Sequence, residues 1–355
     1  MNQLQKVRSL LTGELPAILL TGAPNRQYAT GALIEEGMCL VTADRCTYFT
    51  DSRYTETAER QLEGVAVVRE VTAAQPYSSL IQSVLDEEGI ARLGVEEEKL
   101  THGAFLRLQG KLRAELIPCQ RKVDGLRAAK EPWEQEIMRR AQAIADGVFS
   151  DLLPVIRPGM TEKELEAELI YRLYRARAQG LSFPPIVVSG PNTSMPHGVA
   201  GHRVLREGDF VTMDFGVIYQ GYCSDMTRTV ALGSASEKMR EVYGIVLRAQ
   251  EAAISASRAG LTGREIDAAA RDIITQAGFG EYFGHGYGHS LGIEIHESPN
   301  CSPGSETPMP VGAAASAEPG IYLPGEFGVR IEDVVIFGPE GCENITHSPK
   351  ELLIL

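Results

Sequence analysis

Four carboxylates in the later part of the chain stand where β-type sequence does not favour them. Asp214 lies in FVTMDFGVIY, Asp225 in CSDMTRTVAL, Glu318 in ASAEPGIY and Glu332 in VRIEDVVIFG. Strand propensity disfavours aspartate, and burying a carboxylate without a partner costs on the order of several kcal/mol. Three of the chain's seven histidines, His285, His289 and His296, gather in GHGYGHSLGIEIHES (284–298). If the four carboxylates converge, each pair at 4 Å repels by about 4 kcal/mol at an effective dielectric near 20. Protonation relieves part of that repulsion, whereas two divalent cations cancel the charge of four carboxylates. Oxygen-rich ligands with one imidazole suit manganese, cobalt, iron or zinc and disfavour copper or an iron–sulfur cluster. Paired ions of this kind sit about 3.5–4 Å apart and activate a shared water as nucleophile. Each residue alone also has a structural reading: a satisfied strand carboxylate, or a hydrogen-bonded histidine, which is how His102, His202 and His347 are read.

The elements that must bring these groups together show an internal repeat. RPGMTEKELEAEL (157–169) and RAGLTGREIDAAA (258–270) align without a gap at an offset of 101, with Arg157/Arg258, Gly159/Gly260, Thr161/Thr262, Glu164/Glu265 and Ala167/Ala268 identical. In each copy a helix ends near the glycine, and Thr-x-x-Glu forms a capping box that starts the next. Convergent capping chemistry explains the threonine and glutamate but not the whole register. The copies are followed by β-type segments carrying the four acids, so the later part reads as two helix–helix–strand halves that each donate a pair of carboxylates. The offset carries Asp214 to position 315, close to Glu318, and Asp225 to 326, near Glu332.

Before this lies a different kind of sequence. AILLTG, MCLVT, TYFTD and VAVVRE read as strands; SRYTETAERQLE, SSLIQSVLDEEG and THGAFLRLQGKL read as helices. The alternation predicts a small α/β domain. Pro132 suits a first helical turn, and Ile137, Ala141, Ile144, Val148 and Leu152 recur at helical spacing beyond it. The expected domains are therefore 1–127 and 128–355, with overall class α/β (α+β). A net charge of −13 repels phosphate backbones and argues against nucleic acid as a partner. The six scattered cysteines form no CxxC and no disulfide-like framework, which fits a reducing cytoplasm. The apolar run AILL near the N-terminus is too short for a signal or a membrane span.

MDFG, CSDMTRT, GHGYGHSLGIEIHE, AEPGIY and VRIED together resemble the five metal-site segments of pita-bread-fold metallopeptidases, in the branch of Xaa-Pro aminopeptidase and prolidase. Residues 1–127 resemble the creatinase/prolidase N-terminal domain. The resemblance implies that Asp214, Asp225, His289, Glu318 and Glu332 hold two divalent metal ions, manganese first among the candidates, with cobalt, zinc or iron as alternatives. It implies that Asp225 and Glu332 contact both ions and that Glu318 doubles as general base. His197 (in FPPIVVSGPNTSMPHG), His285 and His296 match positions that face the substrate, and Arg330 matches an arginine of the same branch. Thr227 and Ser316 offer hydroxyls beside the ligands; the family usually has threonine where Ser316 stands, and Ala313 to Ala315 are smaller than its usual strand residues. Tyr322 either shapes the pocket or is a core aromatic. Glycines 284, 286 and 288 either allow close backbone packing or make a flexible loop.

The implied activity is removal of the N-terminal residue from Xaa-Pro peptides or dipeptides, by a homodimer in the cytoplasm with no membrane or nucleic-acid partner. Two rivals share the fold: a creatinase-like, metal-free hydrolase and a non-catalytic peptide-binding module. Both go with replaced ligands, and here all five ligand positions carry a carboxylate or an imidazole.

Overall fold

A computed structural model describes residues 2–355, and the chain divides into two compact units, 1–127 and 128–355. The first unit runs α1 (Gln3–Arg8), β1 (Ala17–Leu20), α2 (Ala23–Thr30), β2 (Met38–Thr42), β3 (Cys46–Asp51), α3 (Thr55–Gln61), β4 (Val67–Val71), α4 (Tyr77–Glu87), β5 (Arg92–Val95), α5 (His102–Lys111), β6 (Glu115–Pro118) and α6 (Gln120–Gly125). Its six-stranded sheet has the order β4-β3-β2-β1-β5-β6. The ladder is antiparallel in the β1–β2–β3 meander and parallel at β3–β4, β1–β5 and β5–β6. All four side chains of β1, AILL, are buried, as expected for a central strand covered on both faces. Four strands and three helices coincide with the segments read from sequence. The others lacked a periodic signal for physical reasons. Helix α2 buries Asn25 and Arg26, with the Asn25 amide donating to Glu96 (2.6 Å) and Asp124 (2.7 Å), so its inward face is polar. β5 and β6 have four residues each, too few to show a period.

The second unit runs α7 (Pro132–Leu152), α8 (Glu162–Arg175), β7 (Gly180–Leu181), β8 (Ile186–Ser189), β9 (Phe210–Phe215), β10 (Val217–Tyr219), β11 (Tyr222–Cys223), β12 (Met226–Ala231), α9 (Glu237–Ala256), α10 (Gly263–Gln276), β13 (Gly288–Ser290), β14 (Glu297–Cys301), β15 (Ala314–Ala317), β16 (Gly320–Leu323), β17 (Phe327–Arg330), β18 (Asp333–Phe337) and β19 (Cys342–Asn344). The repeat seen in the sequence is a repeat in space. Thr161 caps α8 and Thr262 caps α10, each in a complete box with Glu164 or Glu265. The preceding glycines, Gly159 and Gly260, have φ of +93° and +89°, which only glycine adopts without strain. Each capped turn then latches onto its own returning segment. Gly159 N–H donates to Leu205 O (3.0 Å) and Leu205 N–H to Met160 O (2.8 Å); Gly260 N–H donates to Met309 O (2.8 Å) and Met309 N–H to Leu261 O (2.8 Å).

Each half ends in antiparallel strands whose central members correspond. β9 lies between β8 and β12, and β15 lies between β13 and β18 in a sheet extended by β14 and β19. Asp214 on β9 and Ala315 on β15 are the pair related by the offset of 101. β10 and β11 turn back at Gln220-Gly221, where φ is +46° and +78°, a tight hairpin of the primed kind. One apolar cluster lies under each half. Val148, Leu152, Leu165, Leu169, Met213 and Phe215 belong to the first; Val246, Ile266, Ile274, Ala315, Val329 and Phe337 belong to the second. The small residues Ala313 and Ala315 are fully buried in the same cluster as Ala249 and Ala253 of α9, so that small side chains pack together there.

Burial also governs the cysteines, all of which are free thiols. Cys119, Cys223 and Cys301 are pushed up to about 12, chiefly by burial. Their thiolate fraction at pH 8 is accordingly minute, and thiolate is the nucleophile. Iodoacetamide at pH 8 will leave these three unmodified in the native protein and modify them in guanidinium, read site by site by mass spectrometry; rapid native labelling of any of them would contradict this packing.

Candidate metal centre

Only one of the four acids lies within a strand. Asp214 is on β9, but Asp225 immediately precedes β12, Glu318 immediately follows β15 and Glu332 immediately precedes β18. The expectation of carboxylates embedded in strands is corrected to carboxylates at strand ends. There the ladder lets go, and other partners take the backbone: Asp225 N–H donates to Gln142 Oε1 (3.3 Å), Glu318 N–H to Tyr287 O (2.9 Å) and Glu332 N–H to Thr227 O (3.1 Å). The last of these joins the two halves. Gln142, buried on α7, had no sequence signal because a polar residue on a helix face reads as solvent-exposed.

These ends open on one cavity of about 570 Å³, lined by Asp214, Asp225, Glu318, Glu332, His197, His285, His289, His296 and Arg330. Thr227, Ser316 and Tyr322 stand behind the lining. Thr227 Oγ donates to Glu332 Oε2 (2.7 Å) and accepts from Arg330 Nε (3.0 Å). Ser316 Oγ accepts from His289 N–H (3.0 Å) and donates to Glu318 Oε1 (3.0 Å). Serine thus makes both contacts here without the methyl group of threonine. Tyr322 is buried and polar in function: its hydroxyl accepts from Arg330 Nη1 (3.0 Å) and lies 2.9 Å from His285 Nε2. His285 Nδ1 faces the Gly286 carbonyl at 2.8 Å, so this nitrogen carries the proton and Nε2 accepts from Tyr322. Arg330 closes the chain with Nη2 to Asp214 Oδ2 (2.6 Å). His102, His202 and His347 are exposed and lie outside this lining.

His289 is the most informative member. Its Nδ1 faces the Ser290 carbonyl at 3.2 Å, which fixes the proton there and leaves a lone pair on Nε2. That lone pair faces Glu318 Oε1 at 3.4 Å and Asp225 Oδ2 at 3.6 Å, one acceptor against two others. Protonating the ring would remove the conflict, but burial lowers its pKa. A cation among the three removes it directly. The remaining chemistry agrees. Asp214 Oδ1 and Asp225 Oδ1 are buried without a hydrogen-bond partner among the described residues. One ligand atom each from Asp225, His289 and Glu332 lies within 4.8 Å of the others. Burial pushes Asp225 and Glu332 well above the usual carboxylate range, reinforced for Asp225 by Glu332 and for Glu332 by Glu318. Burial raises Glu318 as well. Among the described residues Arg330 is the only lysine or arginine in the lining, so the acids are not each matched with a private base. The donor set fits divalent metal ions.

Other residues fix the loops that carry the histidines. Glu162, fully buried at the start of α8, accepts from Ser189 N–H (2.7 Å), Asn192 Nδ2 (3.0 Å) and Gly201 N–H (3.1 Å), clasping the segment that bears His197. Lys130 Nζ reaches Glu297 Oε2 at 3.0 Å in a buried pair beside His296. Arg271 donates to Phe283 O (2.8 Å) and His285 O (2.6 Å), and Asp267 holds both Arg271 (2.7 Å) and Tyr287 N–H (2.9 Å). The glycine-rich segment is therefore anchored, against the flexible-loop reading. Of its glycines, Gly288 and Gly286 sit against Ser316 and Cys301, whereas Gly284 has open space where a Cβ would be, so close packing applies to two of the three. Part of the cavity wall is apolar: Phe183, Pro184, Pro185, Ile186, Val199 and Ile295. FPPIVV was legible only as the lead-in to His197.

Comparison with known proteins agrees with this geometry. The pattern of Metallopeptidase family M24 matches residues 136–338, and that of the Creatinase/Prolidase N-terminal domain matches residues 3–129. An uncharacterized peptidase of Bacillus subtilis, YqhT, is 40% identical over 99% of this chain and all of its own length. The Xaa-Pro dipeptidase of Pyrococcus horikoshii is 34% identical over 98% of this chain and 99% of its own. Among solved structures, an Xaa-Pro dipeptidase from Bacillus anthracis superposes with a TM-score of 0.95 at 43% identity, covering 99% of both chains. An X-Pro aminopeptidase from Thermotoga maritima superposes with a TM-score of 0.92 at 33% identity over the whole of both. The resemblance drawn from the five segments therefore holds over the full length: the chain belongs to metallopeptidase family M24 and carries that family's creatinase/prolidase N-terminal domain.

Proposed function

We propose that this protein is a two-metal exopeptidase that hydrolyses the bond between an N-terminal residue and proline. The observation that carries the reading is the neutral imidazole of His289 aimed at carboxylates in a cavity whose acids have one cation among them. Asp214, Asp225, His289, Glu318 and Glu332 would hold the ions, manganese being the first candidate for oxygen-rich ligands with a single imidazole. When bound, such ions polarise the scissile carbonyl and lower the pKa of the attacking water.

The chain's own residues supply the rest. Glu318, whose Oε1 is held by Ser316 Oγ at 3.0 Å, would accept the proton of the attacking water. His296, whose ring centroid is 4.4 Å from that of His289, and His197 line the cavity and would donate to the carbonyl oxygen as negative charge develops on it. Arg330 holds Asp214 and Tyr322 in place, and Tyr322 holds His285. The fifth acid of the lining, Glu166, is paired with Lys163; the four ligand carboxylates and Arg330 give a formal charge of −3, which two divalent ions would turn to +1, the sign that favours an oxyanion. The apolar wall suits a proline ring, and an Xaa-Pro bond is a tertiary amide with no N–H to be recognised. The relatives named Xaa-Pro dipeptidase and X-Pro aminopeptidase support this substrate class. We assign the protein to the cytoplasm, on the strength of its unpaired cysteines, and take it to act as a homodimer.

The test compares Ala-Pro with Ala-Pro-Ala as substrates in Mn²⁺. Cleavage of the dipeptide alone assigns a dipeptidase, cleavage of both an aminopeptidase, and release of alanine from neither overturns the proposal. Elution near 39 kDa in size-exclusion chromatography would count against the dimer. His296→Ala will retain Mn²⁺ but lower kcat by one order of magnitude or more, within the range for loss of a group that stabilises a developing charge. Unchanged kcat would remove His296 from the chemistry.

A further inference from the structure

Behind the site, away from the cavity, lies a charged cluster that the reaction does not use. Thr227 and Arg228 are successive residues of β12 and so point to opposite faces. Thr227 reaches Glu332; Arg228 turns inward and is 1% exposed. Its guanidinium donates to Glu332 O (2.6 Å), Thr227 O (3.0 Å), Ser348 O (2.8 Å), Pro349 O (3.0 Å) and Asp333 Oδ1 (2.7 Å). Asp333, fully buried, also receives Lys350 Nζ (2.8 Å) and Asn344 Nδ2 (2.7 Å). Lys350 Nζ further donates to Gln250 Oε1 (3.0 Å), and Gln250 Nε2 faces Ala317 O at 3.4 Å. The network thus ends on the carbonyl of Glu332 and on the carbonyl of the residue before Glu318.

The segment that supplies Ser348, Pro349 and Lys350 is itself held from two helices. Asp146 of α7 accepts from His347 N–H (2.9 Å) and Ser348 N–H (2.8 Å), and Tyr243 of α9 donates its hydroxyl to Lys350 O (2.8 Å). None of residues 346–350 lines the cavity. Packed hydrophobic residues of similar volume often stabilise a fold as well as a buried ionic cluster does, so stability alone gives little reason for one here. Fixing the backbone of two ligands gives a reason.

We propose that residues 346–350, acting through Arg228, Asp333 and Gln250, are a positioning element for Glu332 and Glu318, so that metal affinity depends on a segment outside the cavity. This rests on the two-metal reading above. Loss of an outer hydrogen-bond partner typically weakens metal binding by about 10–100-fold.

The experiment measures Mn²⁺ binding to EDTA-stripped full-length protein by calorimetry, together with the visible absorption of the Co²⁺ form. It uses Lys350→Met, Lys350→Arg and Arg228→Lys, with Lys238→Met of the surface pair Lys238–Glu326 as control. Arg228→Lys keeps a cation for Asp333 but cannot span the carbonyls. Lys350→Met and Arg228→Lys will bind Mn²⁺ about 10–100-fold more weakly and shift the Co²⁺ bands; Lys350→Arg will recover part of the affinity, and the control will match wild type. Wild-type affinity and spectrum in folded Lys350→Met and Arg228→Lys would overturn the proposal. Failure of Lys350→Met to fold would also overturn it, because the segment would then be part of the core and not a positioning element. Wild-type protein that binds no Mn²⁺ would instead overturn the two-metal reading.

Discussion

Asp225→Asn will lose Mn²⁺ binding and nearly all turnover, with no loss of stability in the metal-free protein. The amide keeps the shape of the side chain but removes the charge. The loss in affinity will exceed the roughly 10–100-fold seen when only an outer hydrogen-bond partner is removed. Stability moves the other way. Burial, then the charges of Glu332, Asp214 and Glu318, raise the Asp225 pKa in the metal-free fold. An unfolded aspartate titrates near 3.9, whereas the folded one holds its proton to higher pH. A group of this kind contributes stability at low pH that is lost as pH rises through its folded pKa. Asp225's contribution to the metal-free wild type therefore falls from about pH 4 upward, and the asparagine variant lacks that loss. Thermal unfolding of EDTA-stripped protein at pH 5 and pH 8 checks this: the variant will match or exceed wild type at pH 8, with a smaller difference at pH 5. Isothermal titration with Mn²⁺ checks the other half. A variant that binds Mn²⁺ like wild type would remove Asp225 from the ligand set.

Gly288→Ala will damage the site through packing alone. A Cβ at Gly288 would fall on the Ser316 carbonyl oxygen, deep inside contact distance, and close to Ser316 Oγ as well. Both obstacles are parts of the strand that leads into Glu318, and Ser316 Oγ also accepts from His289 N–H. Relief requires β13 to move off β15, which displaces His289 from Glu318. Overpacking of this kind costs about 1–3 kcal/mol and sometimes more. For a domain of this size each kcal/mol lowers the unfolding midpoint by about 2–4 °C. We expect a midpoint about 2–12 °C below wild type and loss of Mn²⁺-dependent hydrolysis. Gly284→Ala, with open space at the same atom, is the contrast and will behave as wild type. Equal behaviour of the two variants, by thermal melt and peptide hydrolysis, would show that contact at Gly288 does not matter.

These glycines mark the boundary of what sequence reveals. GHGYGH announces a crowded or mobile backbone, but Gly284 and Gly288 look alike until Ser316 is placed beside one of them. The repeat at 157–169 and 258–270 was legible because capping boxes are local chemistry, satisfied within four residues. The four acids were legible because they offend strand propensity. Their exact setting was not: Asp225, Glu318 and Glu332 sit at strand ends, and where a strand stops depends on ladder partners remote in sequence. Arg330 and Asp214 meet across 116 positions, and Tyr322 shares its hydroxyl between Arg330 and His285. No local pattern encodes such pairings. Helix α2 was hidden for a related reason, since its buried Asn25 answers to Glu96 and Asp124, far along the chain.

The paired latches at Gly159 and Gly260 bear on how such a protein could have begun. Each closes one half on its own returning segment, so each half already carries its own turn, cap and strands. A progenitor of a single half, associating with an identical copy about a twofold axis, would bring matching acids to that axis. Such a dimer can offer ligands only in equal pairs, whereas here His289 stands 101 positions after Val188, which is no ligand. A single chain lets each side differ from the other, which is the condition for an asymmetric catalyst.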